Sequence, residues 1–182
     1  MDIGTAKSEL KALRGTIERA FNLTKEEDGE AFPEVVQSLE SIKDNLMTTL
    51  EMAETLIDTD KQATLCGVAT AILQAFGDET RYTSDAVGSL RARTFGNGDF
   101  DMFKYIEKLL EGVEHVALEW GCPRCGQTYL VYAPVASGTS YADAVAYLKA
   151  NKQKLRQYNS KAAMEMIYFS GLCEACWQET TK

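Results

Sequence analysis

Apolar residues recur along the first half of the chain at helical spacing. Leu10, Leu13, Ile17 and Phe21 are three or four positions apart, which predicts one buried face of a helix over residues 8–23. Gly15 interrupts this segment and weakens it slightly. The following TKEEDGEA at 24–31 is charged and holds a glycine, so it reads as a loop. Pro33 suits the first turn of a second helix, where a missing N–H costs little. Val35, Leu39, Ile42, Leu46, Leu50, Ala53 and Ile57 then form the clearest stripe in the sequence, predicting a helix of about 25 residues. A third helix is expected over 60–76, with Leu65, Ala69, Ile72, Leu73 and Phe76 turned inward. Ser84 can cap a short helix over 84–93. After a Gly96-Asn97-Gly98 turn, Asp99 can cap a fifth helix to residue 114, burying Phe103, Ile106, Leu110 and Val113.

The pattern changes near His115. The β-prone runs VALEW at 116–120 and TYLVYA at 128–133 predict the two arms of a hairpin. Ser140 can cap a helix over 141–157, and MEMIYFS at 164–170 reads as a further strand.

Five cysteines occur, and four fall into two C-x-x-C pairs, Cys122/Cys125 and Cys173/Cys176. Two intervening residues let both sulfurs of a pair turn toward one ion about 2.3 Å away. Pro123 pre-sets the first turn, and Gly126 can take the positive φ that lets backbone N–H groups point at the thiolates. Four thiolates fill a tetrahedral zinc shell, so the expected ion is structural Zn²⁺ held by Cys122, Cys125, Cys173 and Cys176. A rubredoxin-like iron centre or two separate redox dithiols are the alternatives.

The run CPRCG between β-prone arms resembles the knuckle of zinc-ribbon and treble-clef proteins, over the two cysteine pairs and their flanks within 115–182. The 47 residues between Cys125 and Cys173 exceed the usual gap of roughly 15–20, and a helical insertion accounts for the excess. The resemblance implies a zinc-binding element but no particular activity, because such ribbons serve many functions. The expected fold is mainly α with a small zinc-bound β element (α+β). An acidic helical bundle (1–114) precedes a zinc-ribbon-like part with a helical insertion (115–182).

With 182 residues and 45% hydrophobic content, the chain can bury a core. Its first residues lack an apolar signal-peptide region, and no apolar run is long enough to cross a bilayer, so no membrane association is expected. Unpaired cysteine arithmetic and thiolate ligation point to a reducing, cytoplasmic compartment.

The net charge is −8, which argues against a whole-surface attraction for nucleic acid. Residues 1–114 carry 22 acidic and 12 basic side chains, net −10, whereas 115–182 carry 5 and 7, net +2. The acidic side of helix 33–58 reads as a solvated face or a docking surface for a basic partner. Lys149, Lys152, Lys154, Arg156 and Lys161 form a basic segment that suits phosphate contacts or a solvated face.

Nothing reads as an active site. His115 is the only histidine, Cys66 sits among apolar neighbours, and no carboxylate pair stands out. The expected function is that of a non-catalytic protein-binding adaptor or regulator, such as a viral inhibitor or a subunit of a larger assembly, with homo-oligomerisation open to it. Arg124 and Trp177 are its candidate partner contacts. The alternative is a nucleic-acid-associated regulator using the basic segment 149–161.

Overall fold

The computed structural model describes residues 1–28, 33–76, 85–96, 99–122, 124–126, 128–135, 139–151, 176 and 179. Helices α1 (Ile3–Asp28), α2 (Pro33–Leu56), α3 (Lys61–Phe76), α4 (Asp85–Phe95) and α5 (Asp99–Leu109) come first. Strands β1 (Val116–Gly121) and β2 (Thr128–Ala133) and helix α6 (Tyr141–Ala150) follow.

The apolar stripes read from spacing become the core. Leu10, Ile17, Leu39, Leu50, Ile57, Leu65 and Ile72 are each 0–1% exposed and pack as one cluster. Asp2 caps α1 by accepting from the Thr5 N–H at 2.9 Å, and Asp60 caps α3 by accepting from the Ala63 N–H at 3.0 Å. Phe76, Phe95 and Tyr105 join α3, α4 and α5 through ring contacts at 5.5 and 5.6 Å, the first of them edge-on.

α1 and α2 run antiparallel and are laced by ion pairs in a single register. Lys7 pairs with Asp58 at 2.5 Å, Arg14 with Glu54 at 2.9 Å and Glu51 at 3.4 Å, and Lys25 with Glu40 at 2.9 Å. From Lys7 to Arg14 to Lys25, the steps up α1 match those down from Asp58 to Glu51 to Glu40. Lys43 pairs with Asp44 and lies over the Phe21 ring of α1, 4.5 Å from its centroid. Glu40, Glu51, Glu54 and Asp58 thus take their counter-charges from α1, whereas Asp44 is paired within α2.

Three expectations need correction. The charged stretch from Thr24 is helix as far as Asp28, because its polar groups find partners on other helices. Arg93 of α4 donates to Thr24 Oγ1 at 2.8 Å and pairs with Glu27, while Lys25 reaches Glu40. Phe103 is 49% exposed, and Met102 and Leu109 at 1% take the inward positions beside Ile106, Leu110 and Val113. The expected face thus holds at Ile106, Leu110 and Val113, extends to Met102 and Leu109, and leaves Phe103 outside it. α5 also ends at Leu109 rather than near 114, and Gly112 then takes a φ of +71° that helical backbone does not permit.

β1 and β2 pair antiparallel, from Val116 opposite Ala133 to Gly121 opposite Thr128. β2 lies against α3, with Ala133 fully buried, and α6 touches both strands. The hairpin is thereby rooted on the bundle, and the cysteines after β1 lie beside Cys176. α6 is capped by Ser140, which accepts from the Asp143 N–H at 3.1 Å, and ends at Asn151. The rest of the helix expected to 157, the expected strand at 164–170 and Ser84 lie outside the described residues. No helix among the described residues is long and apolar enough to cross a membrane.

Candidate metal centre

Between the strands, Cys122, Arg124, Cys125 and Gly126 are described and mark the hairpin tip. The Gly126 N–H donates to the Cys122 carbonyl at 2.8 Å, closing a turn around the first cysteine pair. Gly126 adopts φ +74°, the left-handed conformation expected for it, and an added Cβ would meet no atom within 4 Å. The conformation, rather than crowding, makes glycine the suitable residue there.

Cys176 comes to this tip from far along the chain. The Sγ atoms of Cys122, Cys125 and Cys176 all lie within 4.8 Å of one another. Sulfurs at the corners of a tetrahedron around zinc, each about 2.3 Å from the ion, would be about 3.8 Å apart, so the cluster has the size such a shell requires. Cys122 and Cys176 are 2% and 7% exposed, and Cys125 is exposed. Cys173, which the spacing supplies as fourth ligand, lies outside the described residues.

Arg124, between the first two cysteines, ties the tip to the second segment. Its Nη1 donates to the carbonyl oxygen of Cys176 at 3.3 Å, and its Nη2 lies 3.1 Å from Glu179 Oε2. Cys176 and Glu179 each have helical backbone and stand three positions apart. The guanidinium that spacing offered to a partner protein is engaged within the chain, although the side chain remains 47% exposed. Glu179 escaped the sequence reading. The signal available was its sign, opposite to Arg124, and its place one helical turn beyond a ligand.

The remaining candidates stand elsewhere or outside the description. His115 lies just after α5, with Nδ1 2.8 Å from the Val113 carbonyl oxygen, and does not belong to the sulfur cluster. Cys66 is buried in α3, and burial, helped by the Asp60 carboxylate, pushes its thiol up to about 12. Such a thiol is inert at neutral pH. Burial and then the Glu9 carboxylate raise Tyr105. Lys149 has its backbone in α6, but its side chain, together with Lys152, Lys154, Arg156, Lys161 and Trp177, lies outside the described residues.

No protein-family model matches this chain, and neither does any curated protein or solved structure. The sulfur cluster and its surroundings therefore carry the functional reading alone.

Proposed function

We propose that the chain is a non-catalytic, protein-binding adaptor or regulator whose C-terminal segment is clasped to a β-hairpin tip by a structural zinc ion. The observation that carries this reading is the meeting of three cysteine sulfurs from two distant C-x-x-C pairs within 4.8 Å. Cys173 would complete four thiolates, a closed shell with no position for water or substrate, so the ion supplies folding energy rather than Lewis acidity. The hairpin, the knuckle turn and the return of Cys176 support the zinc-ribbon-like element that CPRCG suggested. Thiolates kept for a metal suit a reducing compartment, and we place the protein in the cytoplasm.

Glu40, Asp44, Glu51 and Glu54 of α2, and Asp58 just beyond its end, are ion-paired within the chain. That directs the expected partner contact to the hairpin tip, where Cys125 and Gly126 are exposed, and away from the α1–α2 seam.

The test is purification under reducing conditions with zinc present, followed by elemental analysis and recovery of bound macromolecules. One zinc per chain, and a stoichiometric protein partner that leaves on chelation, support the proposal. A chain without metal overturns the zinc reading. Nucleic acid bound with a steep salt dependence overturns the class of partner.

A further inference from the structure

We infer that Arg124 is a positioning residue for the metal, docking the segment that carries Cys176 onto the hairpin tip and offsetting part of the charge gathered there. This rests on the zinc reading above and assigns to one side chain the task of assembling the site.

Two cysteine pairs separated by a long stretch of chain must be brought together before all four sulfurs can share an ion, and that closure costs entropy. Arg124 lies between Cys122 and Cys125, so it moves with the first pair. Its two contacts go to the carbonyl of Cys176 itself and to Glu179 three residues on. The planar fork of a guanidinium can make both at once; a lysine ammonium keeps the charge but lacks that fixed geometry.

Charge adds a second argument. Four thiolates and one Zn²⁺ leave a net of about −2, and a cation in the same turn offsets part of it. The Arg124–Glu179 pair is itself 47% and 64% exposed, so it contributes little to global stability. Its effect belongs in the retention of the metal.

The experiment uses the full chain in four forms: wild type, Arg124→Ala, Arg124→Lys and Glu179→Gln. Each is loaded with zinc, assayed for stoichiometry, and mixed with a colorimetric zinc chelator at low and high salt. Arg124→Ala is expected to hold one zinc but to release it about tenfold faster than wild type, the range seen when partners that orient metal ligands are lost. Arg124→Lys should recover part of the difference at low salt and lose that recovery at high salt, a pattern that packing alone would not produce. Glu179→Gln should fall between wild type and Arg124→Ala. Equal release rates for wild type and Arg124→Ala overturn this inference and leave the zinc reading intact. A wild-type chain that takes up no zinc overturns the zinc reading, and this inference with it. Should Arg124→Ala fold poorly by circular dichroism, wild-type rates in both Arg124→Lys and Glu179→Gln overturn the inference.

Discussion

Arg14 of α1 places Nη1 2.9 Å from Glu54 Oε1 of α2, with the two side chains 31% and 28% exposed. It is the least exposed of the ion pairs between these helices, and Arg14 Nε is buried beside it without a partner. A double-mutant cycle on Arg14→Ala and Glu54→Ala should give a coupling of roughly 0.5–1 kcal/mol, because both groups remain partly hydrated. The coupling should shrink when urea denaturation is repeated in 1 M salt. A coupling indistinguishable from zero at low salt would remove the pair from the account of how α1 and α2 are held in register.

Two adjacent apolar residues of α5 invite a direct comparison. Met102 is 1% exposed and Phe103 49%. Met102→Ala should cost about 2–4 kcal/mol in chemical denaturation, as core truncations do, while Phe103→Ala should cost under about 1 kcal/mol. The reverse order would restore the face expected from spacing alone.

Cys66 gives a pH dependence with a definite sign. Its thiol titrates near 9.0 when free and at about 12 in the folded protein, so the folded state holds its proton where the unfolded state has lost it. The associated stability is complete below pH 9. It declines by about 1.4 kcal/mol per unit as pH rises above that and levels off past the folded value. Subtracting the profile of Cys66→Ala from that of wild type isolates this component. A flat difference between pH 9 and 11 would contradict the burial of the thiol.

Gly126→Ala tests the knuckle turn. A side chain meets no steric obstacle there, so the penalty is the left-handed backbone alone, about 1 kcal/mol. Zinc affinity measured by chelator competition should fall by about fivefold, with the thermal transition of the helical bundle little changed. Unaltered affinity would mean that the turn does not need its positive φ to hold the metal.

Chelation itself should alter the near-ultraviolet signal of Trp120 and Trp177, which flank the cysteine pairs, and leave most far-ultraviolet helicity in place. Cys122→Ser should reproduce the effect without chelator. A metal-free sample with unchanged spectra and melting would show that the ion contributes nothing to the C-terminal part.

How much of this could be read from the residues follows from the range over which each contact acts. The stripe from Leu39 to Ile57 announces α2 because burial on one helix face is written at a fixed period. Gly126 announced its own φ because the reason is local. The helical state of Thr24–Asp28 was illegible, since it depends on Arg93 and Glu40 arriving from other helices. The pairing of Glu40, Glu51 and Glu54 was hidden for the same reason: their counter-ions sit on α1, not four residues away. Phe103 misled because two adjacent apolar residues, Met102 and Phe103, admit two faces, and only the neighbours' shapes choose between them. At the metal centre, spacing named the sulfurs, whereas the bond from Arg124 to the backbone of Cys176 needed coordinates.

α3 is enclosed by α2, α4, α5 and β2, and from Ala63 to Thr70 every residue is buried. Small side chains such as Ala63, Gly67 and Ala69 lie in this buried stretch, and of the residues in this helix only Gln62 is exposed. Substitutions that enlarge these positions should push the bundle and the root of the hairpin apart together. Freedom for the sequence to drift is therefore narrowest along this helix, far from the cysteines that draw the eye first.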